Sequence, residues 1–362
     1  MKKLIWIVGL LLILVLVFVT YYSVQKNAIT VGVIIPLSGS VADLGLQSKN
    51  GFDLAINEGI EFEFIFEDSV GDKTAAINAY NKLVSADNAK IIICQLGGVC
   101  DALADIAKDN DVILLGLTSN DDFAVKGKNI FNVRASGYGI GKRLAEYLIK
   151  ENYNSVAVLY NEEPTHAAIF KGFKNYFEEK GGKVVYSGLH KSDEKEFKTE
   201  LLKANNEKPE GFVLFSRYGN LINIIKQKEE LGINLPIFSN TGVESKEFID
   251  SLGPLANGII FSSASFDYDL DSDKVKYFIS LHEKMFGTDI IPFYTANAYE
   301  VVDLLNYLKS KGCNTTKEII SCLENFGGYE SVLGKISFDS DGGVIRNYLI
   351  YQIQDGAFVK LE

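Results

Sequence analysis

The chain has 362 residues, 47% hydrophobic and 23% charged, with 36 Lys and Arg against 47 Asp and Glu for a formal net charge of −11. This is too apolar for an intrinsically disordered chain and too acidic for a protein that reads a phosphate backbone, so no nucleic-acid partner is expected. The apolar surplus is not spread evenly. Residues 4–19 form sixteen consecutive apolar or glycine positions behind Lys2 and Lys3, the layout of a secretory signal peptide or a retained signal anchor. No small-residue cleavage pattern follows, and the uncharged stretch 4–22 would make about 28 Å of helix, nearly a bilayer core. Tyr21 and Tyr22 would sit at the far interface, so residues 1–28 are read as an N-terminal hydrophobic helix tethering the protein to the membrane, with cleavage as the alternative. The rest is then expected outside the cytoplasm. Without the three lysines of that segment it carries −14, a charge suited neither to anionic lipid nor to nucleic acid.

From residue 30 the pattern alternates. Buried strands are expected at 30–37, 61–66, 90–94, 112–117 and 130–133, with helices at 45–57, 74–85 and 101–108 between them. A second series has strands at 155–159, 183–186, 211–215 and 236–238, with helices at 139–150, 167–180, 197–204 and 221–231. After a strand at 258–262 come helices at 274–286, 295–309 and 316–323, and closing strands at 335–338, 344–352 and 358–361. Two βα series imply an α/β fold of two Rossmann-like lobes with parallel sheets, and such sheets bind ligands at the carboxyl ends of their strands. Four cysteines in an oxidising compartment allow three pairings; the short spacings favour Cys94 with Cys100 and Cys313 with Cys322, four buried thiols being the alternative.

At the strand ends of the first series lie Ser38, then Gly97 and Gly98, then Thr118 and Ser119. Small and hydroxyl residues at helix starts leave backbone N–H groups free for an anion such as a carboxylate, although each could be only a cap or a tight turn. The segment 29–40, Leu44-Gly45, 50–55, 66–69, 294–299 and 333–339 with Gly342 and Gly343 together resemble the leucine/isoleucine/valine-binding family of type I periplasmic binding proteins. The likeness spans essentially all of residues 30–362. It implies a Venus-flytrap architecture joined by three crossings, near 133–136, 259–262 and 333–337, that captures an amino acid for the permease of an ABC transporter. The lobes would comprise residues 29–133 plus 260–335 and residues 134–259 plus 336–362.

By the same likeness the loops at Ser38, Gly97, Gly98, Thr118 and Ser119 would hold the ligand carboxylate, with Tyr138, His166, Tyr218 and Thr241 facing it from the second lobe. The carboxylates that hold an ammonium in that family are missing at Gly137 and Thr241. Tyr138, Glu162, Glu163, Tyr218 or Glu244 could substitute; otherwise the solute is an amide, an acid lacking an amine, or an amino acid held in a different way. Tyr294 also has a position suggestive of a cleft. Enzyme signals fail: the glycines at 137–143 match neither a dinucleotide fingerprint nor a phosphate loop, and the acids at 267–273 lack the glycine and glutamate of a calcium loop. His190 and His282 read as surface residues, and no triad or zinc set can be assembled. No enzyme activity, metal or cofactor is expected. A ligand-sensing ectodomain that signals through a separate partner is the other functional class.

Overall fold

The protein is described by a computed structural model covering residues 29–264, 267 and 270–362. The hydrophobic helix expected over residues 1–28 lies outside the described residues; among them no helix is long and apolar enough to cross a membrane. The first sheet contains β1 (Ile29–Ile35), β2 (Phe62–Asp68), β3 (Ile91–Gln95), β4 (Ile113–Leu117) and β5 (Ile130–Asn132). Its order is β2-β1-β3-β4-β5 and every pairing is parallel. Strands β3 and β4 are buried along their whole length, which explains why they read as continuous apolar runs and do not alternate. Between them run α1 (Ala42–Ile56), α2 (Lys73–Ser85) and α3 (Gly97–Ala107).

The chain then crosses and builds α4 (Gly137–Lys150), β6 (Ser155–Asn161), α5 (Pro164–Glu179), β7 (Lys183–His190), α6 (Lys198–Asn206), β8 (Gly211–Phe215), α7 (Tyr218–Glu230), β9 (Ile237–Ser239), α8 (Lys246–Leu252) and β10 (Ile260–Ser263). It returns as α9 (Asp273–Phe286), α10 (Phe293–Ser310), α11 (Thr316–Glu324) and the short strands β11 (Tyr329–Ser331), β12 (Gly334–Phe338) and β13 (Val344–Ile345). Two antiparallel strands, β14 (Leu349–Gln354) and β15 (Ala357–Lys360), close the second sheet in the order β15-β14-β10-β9-β8-β6-β7.

Core packing assigns the returning segment. Val275, Phe278, Leu304 and Val344 join the core of β1, β3 and β4, whereas Phe261 and Tyr351 stack in the core of the second sheet. Sheet pairing thus places residues 260–263 with the second lobe, and core packing places Ile336 and Val344 with the first. The chain changes lobes at 133–136, after Ser263 and after Ile345, so the second and third crossings lie later than the resemblance placed them. The strand expected over 344–352 is two strands because the third crossing interrupts it at residues 346–348.

A buried ion pair ties these crossings together. Arg346, the first residue beyond β13, donates from Nη1 to Glu300 Oε1 at 2.9 Å and from Nη2 to the other Glu300 oxygen. Its Nη2 also donates to the Val133 carbonyl at 3.3 Å, and Asn297 Nδ2 donates to the same carbonyl at 3.2 Å.

Both cysteine pairs are joined, with Cα separations of 5.5 Å for Cys94–Cys100 and 6.7 Å for Cys313–Cys322. The second staples α11 to the end of α10 across nine positions of sequence. Replacing both Cys313 and Cys322 by Ser should cost about 2–3 kcal/mol, since the unfolded chain regains the loop's freedom. Urea denaturation of the variant beside the parent checks it; equal midpoints would show that the staple contributes nothing.

Candidate functional site

Three helices begin at the carboxyl ends of their sheets with unbonded amides. In α3 the first intrahelical bond runs from the Cys100 amide to the Leu96 carbonyl, leaving the N–H groups of Gly97, Gly98 and Val99 outside the helical ladder. Likewise α5 starts bonding at Ala167 and α7 at Leu221. Leu96 holds a φ of 77°, a left-handed setting costly for a branched side chain, as it turns the chain from β3 into α3. A methyl on Gly97 would come 3.2 Å from the Thr165 hydroxyl and 3.4 Å from the Thr118 hydroxyl. Gly97 therefore lies where the two lobes meet, with a hydroxyl from each beside it.

Around this meeting point opens a cleft of about 680 Å³. The first lobe contributes Ser40, Val41, Asp43 and Gln47 from the start of α1, Gly97 from α3, and Phe293 and Tyr294 from the start of α10. From the second lobe come Glu163, Thr165 and His166 at α5, the loop 192–195, Ser216 to Asn220 at α7, and Asn240 to Ser245 after β9. Arg134, in the first crossing, lies between the lobes and lines the cleft as well.

Of the residues singled out in sequence, Gly97, His166, Tyr218 and Thr241 line the cleft. The Thr118 hydroxyl stands directly behind Gly97 and accepts from the Asn120 amide at 3.2 Å. The other four lie outside the lining. Ser38 donates its hydroxyl to Asp68 at 2.5 Å, in a turn where Asp68 also accepts from the Leu37 and Val70 amides. Gly98 lies beside the Lys73 side chain. Ser119 is fully buried under the crossing, its carbonyl accepting from the Gly137 amide at 2.9 Å and its hydroxyl without a partner among the described residues. Tyr138 is exposed on the first turn of α4, where its amide donates to Asp121. Among the substitutes for the missing carboxylates, Glu163, Tyr218 and Glu244 line the cleft, while Glu162 does not.

The polar groups of the cleft are held by their own partners. Glu163 pairs with Arg217. Glu244 is buried and accepts at Oε2 from the Ser263 hydroxyl at 2.8 Å. Tyr218 reaches away from the cleft to the Glu247 carbonyl at 3.1 Å and the Ser251 hydroxyl at 2.9 Å. His190 and His282, expected at the surface, are both buried. His190 donates from Nδ1 to the Lys191 carbonyl at 2.9 Å, which leaves Nε2 to accept from the Ser216 hydroxyl at 3.0 Å. His282 donates to the Thr288 carbonyl at 2.8 Å. Among the cleft residues that sequence reading missed are Arg134, Arg217 and Phe293, with Asp43, Gln47 and the loop 192–195 beside them; of these, Arg134 had a signal in its position in the expected first crossing.

His166 is buried, and burial, with Arg217 and Arg134 nearby, lowers its pKa to about 3. The ring is neutral at ordinary pH, so the 3.8 Å approach of its Nδ1 to Glu163 is no ion pair. An unfolded chain takes up this proton near pH 6.5, which the folded cleft refuses. The stability that His166 contributes is therefore complete above about pH 6.5 and lost as pH falls toward about 3. His166→Asn should flatten the decline of urea-unfolding free energy between pH 6.5 and 4; an unchanged slope would show that the ring does not titrate as described.

Comparison with known proteins decides the family. A family model described as "Periplasmic binding protein" matches residues 28–357. The chain belongs to the periplasmic binding protein family. Among curated relatives, Leu/Ile/Val-binding protein homolog 2 of Brucella abortus is 27% identical over 91% of each chain. Among solved structures, the leucine-binding protein LivK of Thermotoga maritima shares the fold at a TM-score of 0.86 and 21% identity, covering 92% of this chain and 98% of the other. LivJ of Streptococcus pneumoniae, solved in complex with isoleucine, gives 0.81 at 22% identity over 92% and 99%. An R. palustris solute-binding protein in complex with benzoate gives 0.83 at 20% over 92% and 95%. Members of this family are substrate-binding proteins of transporters and not enzymes, so this chain has a general solute-binding role. The family implies an extracytoplasmic location.

Proposed function

We propose that the protein is the receptor of an ABC-type transporter, holding an amino acid, or a related small carboxylate or amide, between its lobes and presenting the closed form to a membrane permease. The observation that carries this reading is the meeting of Gly97 on α3 with Thr165 on α5 at a cleft walled by both lobes. Two helix N-termini and two hydroxyls favour an anionic or carbonyl oxygen there. Because the walls belong to different lobes, a solute that touches both stabilises the closed arrangement by its differential affinity. The hydrophobic segment at residues 4–19 fits a tether that keeps the receptor at the membrane.

Glu244 supplies the buried carboxylate of the second lobe and would hold the ammonium of an amino acid, in place of the family carboxylates missing at Gly137 and Thr241. Calorimetric titration tests it, using the amino acid that most raises the melting temperature and the same acid without its amine. Glu244→Gln should weaken the amino acid by about 2 kcal/mol or more, the cost of truncating one side of a buried charge pair, and leave the deaminated acid nearly unchanged. Equal losses for both would remove Glu244 from the ammonium site.

A further inference from the structure

Only four arginines occur in the chain. Three hold carboxylates: Arg143 pairs with Glu362, Arg217 with Glu163 and Arg346 with Glu300. Arg134 differs. It is 7% exposed, yet among the described residues no carboxylate lies within ion-pair distance of it, and its buried Nε has no acceptor. Its guanidinium lies over the Phe293 ring at 4.5 Å and the Tyr294 ring at 4.8 Å. Cation–π contact with two rings set at 78° to each other fixes the position of the cation, and its fork of N–H groups suits a planar anion. The unpartnered Nδ1 of His166 belongs to the same cleft, and the field of Arg134 reaches that ring.

We propose that Arg134 is the carboxylate anchor of the cleft, so that the solute is a small carboxylate and neutral amides are excluded. A buried charge without a counter-ion is costly, and a fold that keeps one beside a ligand cleft balances it when the ligand brings the opposite charge. Arg is the side chain suited to this, because its fork matches both oxygens of a carboxylate. Arg134 also sits in a crossing between the lobes, so an anion held there contacts the segment about which they move. The neutral imidazole of His166 completes the polar environment without competing for the anion.

This inference rests on the solute-binding reading, and its test separates the two. Matched acids and amides are titrated calorimetrically against the full protein: L-leucine with L-leucinamide, benzoate with benzamide, and glutarate with glutaramide. At least one acid should bind at least fiftyfold more tightly than its amide. Arg134→Met keeps length and ring packing while removing the charge, and should weaken that acid about a hundredfold. The same variant should melt at a higher temperature than the ligand-free parent, because an uncompensated buried charge is gone; an arginine with a merely structural role would shift melting the other way. Arg134→Lys keeps the charge without the fork and should recover part of the lost affinity. If the amides bind as well as the acids, or Arg134→Met keeps the affinity, the anchor is refuted and the solute-binding reading stands. If no acid or amide binds a well-folded sample, the anchor and the reading of the cleft as a site for small carboxylates or amides fall together.

Discussion

Glu300→Ala should destabilise the protein by about 3–5 kcal/mol, the range for removing one partner of a buried ion pair. Glu300 is 1% exposed and receives both guanidinium branches of Arg346 and the Ser331 hydroxyl. Removing it leaves Arg346 buried at the third crossing without a counter-ion and the Ser331 hydroxyl without that acceptor. The pair also controls where the first crossing lies, because Arg346 and Asn297 both donate to the Val133 carbonyl. Guanidinium denaturation measures the loss. The double variant Glu300→Leu with Arg346→Met should recover most of it, as buried pairs replaced by apolar groups of similar size often do. A single variant that unfolds within about 1 kcal/mol of the parent would show that the pair is not structural.

Gly141→Ala should cost about 3 kcal/mol, although alanine is the better helix former by about 1 kcal/mol. In α4 a methyl at Gly141 would fall 1.9 Å from the Ile169 carbonyl oxygen of α5, and in α5 one at Gly172 would fall 2.1 Å from the Tyr138 carbonyl oxygen of α4. The two helices touch backbone to backbone through this glycine pair, a distance no side chain permits. Separating them displaces the start of α5, which carries Thr165 and His166 into the cleft. Solute affinity should therefore fall together with the urea midpoint. A stabilised Gly141→Ala would mean that the helices part at no cost.

Much of the fold was legible because strands buried on both faces write themselves as apolar runs. Strand β8 was expected over 211–215 and spans Gly211–Phe215. The helices were read less well, and those that border the cleft were read as starting too late. Helix α3 was expected from residue 101 and begins at Gly97; α5 was expected from 167 and begins at Pro164; α7 was expected from 221 and begins at Tyr218. Apolar periodicity starts only where a helix meets its sheet, whereas these first turns face the cleft and carry Gly, Thr, His, Tyr and Asn. The misread residues are the ones that bring free amides to the site. The break between β13 and β14 was hidden for a related reason, since Arg346 is buried by a partner 46 positions away and nothing local marks the crossing. Arg134 was missed likewise: its importance lies in having no carboxylate within ion-pair distance among the described residues, a fact of three dimensions. His190 and His282 were misplaced because their rings pack edge-on or tilted against Phe197 and Phe286, contacts that a lone histidine in sequence does not announce.

A cleft that closes on a small polar solute must change both the stability and the shape of the protein when that solute binds. The most direct measurement is a thermal-shift panel of amino acids, their amides and simple organic acids at millimolar concentration, followed by small-angle scattering with any solute that binds. At least one acid-bearing solute should raise the melting temperature increasingly with its concentration, with a smaller radius of gyration in its presence. A folded protein whose melting temperature no member of the panel moves would contradict it.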